Sequence, residues 1–186
     1  MTRTILMTAL WTPAACLGLC AADMPGPVVL KTSSGHELVV PDTMMAAIER
    51  KVPGFQVETL ASYDDDIQKY YQFTSRQTPW AVLGDFDGDG RQDLIVDGHV
   101  GDRFYRLCVW GRVPARVDTL STKLWGRSGT PFHDVLMYAP PGDQSSNFSD
   151  DQVFVFTDAY VDYLFERAGV TWYWQDGRWN PFGSSD

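Results

Sequence analysis

Apolar and polar positions change rhythm near Trp80, dividing the chain into a mixed N-terminal part and a β-rich remainder. Residues 28–40 carry two short β-branched runs on either side of Ser34-Gly35, which predicts a hairpin or two extended arms. After Pro41, Met44, Met45, Ile48 and Val52 recur at helical spacing, so a helix is expected there, capped by Asp42 or Thr43 and ended by Pro53-Gly54. A second short helix is expected from Ser62 to Tyr71, with Ser62 as its cap and Ile67, Tyr70 and Tyr71 on one face. Asp64, Asp65 and Asp66 then lie at the positive end of that helix and read as dipole partners rather than metal ligands.

Beyond Trp80 come short apolar runs at 80–84, 93–97, 103–110, 116–124, 134–139, 153–157, 160–166 and 170–175, nearly all separated by turn residues. Most connections are shorter than the dozen or more residues a parallel crossover needs, so the runs predict an antiparallel meander. Trp172 to Trp179 reads as a hairpin whose Asp176-Gly177 tolerates the positive φ angles of a type I′ turn. Its aromatic ladder is expected to pack within the core rather than serve as a sugar platform. One longer polar connection, 139–151, contains Asn147-Phe148-Ser149, which matches a glycosylation acceptor. The expected fold class is therefore α+β: one or two short N-terminal helices packed on a predominantly antiparallel β-sheet meander.

Composition supports this reading. Aromatic residues make up 13% of the 186, and such side chains suit pleated, half-buried strands. The formal charge of −9 has the wrong sign for a surface that must neutralise phosphates, which sets nucleic acid aside as a partner.

Arg3, the apolar run from Ile5 to Leu19 and the small pair Ala21-Ala22 have the order of a signal peptide. The run spans about fifteen residues, against about twenty for a membrane helix. The expectation is a signal over 1–22 and a single mature domain over 23–186, with no transmembrane segment left and a periplasmic or secreted destination. A retained anchor, or a lipid on Cys20 or Cys16, is the alternative. Cys16 and Cys20 fall within the signal, so the mature chain keeps only Cys108 and cannot form an internal disulfide. Cys108 sits in an apolar strand pattern and reads as a buried, inert thiol.

The segment with the clearest chemistry joins the runs 80–84 and 93–97. Asp85, Asp87, Asp89 and Asp93 stand at loop positions 1, 3, 5 and 9, with Gly90 at position 6. Alternate spacing lets short acidic side chains converge while Phe86 turns away, and the glycine permits the bend that returns Asp93 to the others. The carbonyl of Arg91, at position 7, would complete an all-oxygen shell. Calcium suits such a shell, since it accepts six to eight hard oxygen ligands in flexible geometry, whereas zinc prefers nitrogen or sulfur. Position 12 is Val96 rather than the bidentate Glu of an EF-hand, and the flanks are strand-like rather than helical.

With these residues in place, the segment from about 80 to 98 resembles the calcium loops of FG-GAP and VCBS repeats, the propeller blades of integrin α-subunits and related bacterial surface proteins. The resemblance implies Ca2+ as the bound ion, held by the side chains of Asp85, Asp87, Asp89 and Asp93 and the carbonyl of Arg91. A single loop does not make a propeller, which needs four or more blades of four strands each. The general layout is also similar to that of small exported bacterial proteins with one such loop and a terminal Tyr-Trp hairpin.

Catalytic patterns are thinner. His36, His99 and His133 form no paired ligand spacing, and Trp125-Gly126-Arg127-Ser128-Gly129 falls short of a nucleophile elbow. His99 reads as a hydrogen-bonded turn residue close to the loop. Asp150-Asp151, or Asp158 with Asp162, are the acid pairs to weigh for glycosidase chemistry, with surface charge the plainer reading. The sequence points to an exported calcium-binding interaction module with a protein or glycan partner in the envelope or outside the cell. A calcium-dependent hydrolase of glycans or esters is the alternative.

Overall fold

The computed structural model describes residues 26–33, 35–124, 132, 134–145 and 152–185. Strands β1 (Val28–Thr32) and β2 (Gly35–Val39) form the first expected hairpin, pairing Val28 with Val39. Helix α1 (Asp42–Lys51) follows and buries Met44 and Ile48 of the expected face together with Ala47, while Met45 is only half-buried. Its N-cap is Pro41 and no side chain caps it, so Asp42 lies in the first turn and favours the helix through its charge. After β3 (Gln56–Val57) and a 3-10 turn (Leu60–Ser62) comes helix α2 (Asp65–Tyr70). Here the structure corrects the cap: Ser62 belongs to the 3-10 turn, and Asp64 Oδ1 accepts the Ile67 N–H at 2.8 Å.

The remaining strands are β4 (Gln77–Thr78), β5 (Ala81–Gly84), β6 (Asp93–Val100), β7 (Arg103–Trp110), β8 (Arg116–Leu124), β9 (Asp134–Ala139), β10 (Gly142–Ser145), β11 (Gln152–Val155), β12 (Ala159–Leu164), β13 (Ala168–Gln175) and β14 (Arg178–Ser185). Every strand pairing among them is antiparallel. They form two principal sheets. One has the order β4-β5-β6-β7-β8, with β3 added beside β6, and the other the order β14-β13-β12-β9. The β10-β11 hairpin occupies part of the connection expected to be loop, and β12 returns past it to pair with β9. At the tip of β13-β14, Asp176 and Gly177 have φ of 54° and 76°, as the expected type I′ turn requires.

Alternation sorts the larger sheet's side chains into two layers. Ala81, Leu83, Leu94, Val96, Leu107 and Val109 pack with Met44, Ala47 and Ile48 of α1, Ile67 of α2 and the aromatic residues Tyr63, Tyr71 and Trp80. The opposite face carries Val82, Ile95, Cys108 and Trp110, which meet Leu136, Tyr138, Tyr160, Trp172, Trp174 and Trp179 of the second sheet. β6 is thus covered on both sides, which explains why its sequence reads as a continuous apolar run rather than an alternating one. A buried ion network also joins the sheets. Arg106 on β7 bonds both carboxylate oxygens of Asp97 on β6 and reaches Asp162 on β12 at 2.6 Å.

Candidate metal centre

Pairing of Gly84 with Asp93 closes the ends of the 85–92 loop onto neighbouring positions of β5 and β6. Within the loop, Gly90 has φ of 81° and open space where a Cβ would stand, so its requirement is conformational rather than steric. The loop bends around its own carboxylates. Asp85 Oδ2 accepts the Gly90 N–H at 2.9 Å, Asp87 Oδ1 the Asp89 N–H at 3.3 Å, and Asp89 Oδ1 the Arg91 N–H at 2.9 Å. These short-range bonds turn the three aspartates toward one another, and one ligand oxygen from each of Asp85, Asp87 and Asp89 lies within 4.8 Å of the others. Among the described residues this is the group of acidic, His or Cys side chains placed to hold a metal ion. Asp85 Oδ1 is buried and makes no hydrogen bond. Burial pushes the Asp87 carboxyl above its usual range, helped by the charges of Asp89 and Asp85 and opposed by the Asp89 N–H and Arg112.

Asp93 is placed differently. It is 1% exposed, and its two oxygens accept the N–H groups of Phe86 at 2.9 Å and Gly111 at 2.6 Å. Burial nevertheless pushes its pKa up to about 7, against those two bonds and with help from Asp87 and Asp89. Asp93 stands outside the three-carboxylate group and ties the loop to the β7-β8 connection. Arg91 contributes its N–H to the bend, and its side chain is exposed.

Two distant segments hold the loop. Gly111 lies so close that an added Cβ would meet the Gln92 carbonyl oxygen at 2.5 Å. On the other side, Thr157 Oγ1 donates to the Phe86 carbonyl at 2.8 Å, while Asp158 Oδ2 accepts the Asp85 N–H at 2.9 Å and its own N–H returns to the Asp85 carbonyl at 3.2 Å. Asp158 is held in turn by the Tyr138 hydroxyl at 2.7 Å and Arg76 at 3.3 Å. Phe86 points inward, fully buried, with its ring 5.8 Å from that of Trp179. The sequence offers Asp158 as surface charge or as one acid of a glycosidase pair, and neither reading is the bracing role seen here. Its supporting role rests on an approach across 73 residues that no local spacing reveals. Asp158→Ala is expected to destabilise the fold by about 1–3 kcal/mol, because the Asp85 N–H loses its acceptor, read as a lower urea midpoint at unchanged slope.

The other sequence candidates lie elsewhere. His99 is a strand residue at the far end of β6 rather than a turn residue beside the loop. It is six residues and roughly 20 Å along the strand from Asp93. Its Nδ1 lies 2.6 Å from Glu58 Oε1. His36 stacks on Phe73 with ring centroids 4.4 Å apart. Cys108 is a free, fully buried thiol whose pKa burial pushes well up, which fits the inert reading. Cys16, Cys20 and the rest of 1–22, Trp125 to Gly129, His133, Asn147 to Ser149, and Asp150-Asp151 lie outside the described residues.

No helix among the described residues is long and apolar enough to cross a membrane. Comparison with protein-family models, curated proteins and solved structures finds no match to the chain.

Proposed function

We propose that the chain is an exported interaction module that binds calcium through the loop 85–93, as the FG-GAP and VCBS resemblance implies. The observation that carries this reading is the convergence of Asp85, Asp87 and Asp89 within 4.8 Å. The buried, unbonded Asp85 Oδ1 adds to it, since an oxygen desolvated without a donor gains from a cation. The donors are all hard oxygens, which disfavours zinc, and calcium accepts such donors in a more flexible geometry than the tighter octahedron of magnesium. Asp85, Asp87 and Asp89 would hold the ion by their side chains, with the Arg91 carbonyl and Asp93 as the further ligands the resemblance implies. Bound there, calcium would supply charge neutralisation and cross-linking of the loop, coupling ion binding to the pairing of β5 and β6, the strands the loop joins.

Calorimetry with calcium, together with melting in excess calcium and in chelator, tests the reading. For an affinity of roughly 0.1 to 1 mM, typical of extracellular modules, about 1 mM free calcium stabilises the fold by about 0.4 to 1.4 kcal/mol. Asp87→Ala or Asp89→Ala is expected to abolish the calcium-dependent part of the melting shift, and a change at Asp65 in α2 to leave it intact. Equal melting with and without calcium, and no binding heat up to several millimolar, would remove the metal reading. Export rests on the order of regions in 1–22, and mass spectrometry of protein from its native host is expected to find an N-terminus near Asp23. An intact Met1 would overturn that part. The hydrolase alternative draws no support from Asp158 and Asp162, since one braces the loop and the other ion-pairs with Arg106.

A further inference from the structure

Arg112 is the basic side chain that, among the described residues, forms an ion pair with the three-carboxylate group: its Nη2 lies 3.5 Å from Asp87 Oδ2. The backbone that delivers it is firmly placed, because the preceding residue, Gly111, donates to Asp93 and sits flush against Gln92. The guanidinium itself is loosely held. Its contact with Asp87 is long, its side chain is 41% exposed, and its Nε is buried without a hydrogen bond. A second resting place adjoins it, since the guanidinium carbon lies 5.5 Å from the centre of the Trp110 ring.

We propose that Arg112 is the internal counter-cation of the loop, a side chain that calcium must displace from Asp87 and that thereby sets the affinity of the site. This deepens the calcium reading and rests on it. The physical reason is competition between like charges: a cation already paired with one ligand carboxylate lowers the local negative potential and repels an incoming divalent ion. Displaced, the guanidinium keeps the Trp110 face as a partner, so the cost of release is limited. The nearby Arg116 makes an internal control. It also lies over the Trp110 ring, at 6.0 Å, but its ion pair is with Asp118 rather than with the loop.

The test is calcium titration by calorimetry on wild type, Arg112→Gln, Arg112→Lys and Arg116→Gln. Removing the charge at Arg112 is expected to tighten calcium binding about three- to tenfold, the range for losing a partly exposed ion pair together with its repulsion of the metal. Arg112→Lys is expected to stay close to wild type, because it keeps the charge, and Arg116→Gln to change the affinity by less than about twofold. In about 1 M salt the gap between wild type and Arg112→Gln should narrow, as screening weakens both the pair and the repulsion. Arg112→Met keeps the aliphatic stem on Trp110 and serves as a second neutral variant should the amide disturb folding. Unchanged or weaker calcium binding in the neutral variants, with wild type binding normally, overturns the role of Arg112 and leaves the calcium reading standing. Equal tightening by Lys and Gln also overturns it, since packing rather than charge would then be responsible. Absence of calcium binding by wild type removes both claims.

Discussion

Arg106→Met is expected to destabilise the protein by about 3–5 kcal/mol, the cost of breaking a buried ion pair by removing one partner. Arg106 is 4% exposed and Asp97 is 1% exposed, so neither charge has water to fall back on. Three bonds hold the guanidinium: 2.8 and 2.9 Å to the two oxygens of Asp97, and 2.6 Å to Asp162. Burial opposes the charge on Arg106, but Asp97 and Asp162 together outweigh it and hold the guanidinium pKa well above its usual value. Methionine in its place fills part of the volume and leaves the Asp97 carboxylate desolvated without its counter-charge. The double variant Arg106→Met with Asp97→Leu removes both buried charges and is expected to recover much of the loss, since apolar replacement of a buried ion network is often neutral or better. Asp162, 31% exposed on its side chain, can then turn to water. Urea unfolding of wild type, single and double variants measures the coupling. A single-variant cost below about 1 kcal/mol would place the network with ordinary surface pairs.

The second large effect is steric. At Gly98 on β6 an added Cβ would overlap both the Phe55 ring and the Gln56 carbonyl oxygen. A flexible side chain could yield, but Gln56 is backbone of β3, whose pairing sets Val57 opposite Gly98. Relief therefore means pulling β3 from the sheet edge and lifting Phe55, itself 7% exposed, out of the core against α1. Gly98→Ala is expected to reach or exceed the upper end of the roughly 1–3 kcal/mol that overpacking costs. Gly183→Ala on β14 provides the contrast. Nothing stands within 4 Å of its Cβ position, so its effect should stay within about 0.5 kcal/mol. Thermal melting of the two variants side by side checks the difference, and equal melting temperatures would mean that β3 is free to move.

Local pattern determined a good deal. The runs at 103–110, 116–124 and 134–139 coincide with β7, β8 and β9, and the Asp176-Gly177 turn has the expected backbone, because alternation and turn chemistry act between near neighbours. The loop 85–93 was legible for the same reason: its bends come from carboxylates bonding N–H groups two to five residues on, and that geometry is written into the spacing. The short strands β3, β4 and β10 were not legible, since two to four residues carry no period and exist only through their partners. Nor was the division into two sheets: an apolar run covered on both faces, as in β6, does not say which neighbour lies on which side. Tertiary structure alone decided that Arg106 and Asp97 would be buried together and that Asp158, immediately before β12, would brace Asp85. It also placed Asp93 between Phe86 and Gly111, and Arg112 beside Asp87. Each of those contacts joins residues whose distance along the chain is unrelated to their distance in space, and the charge attraction and hydrogen bonds that hold them must offset a desolvation cost that arises only once the sheets have closed.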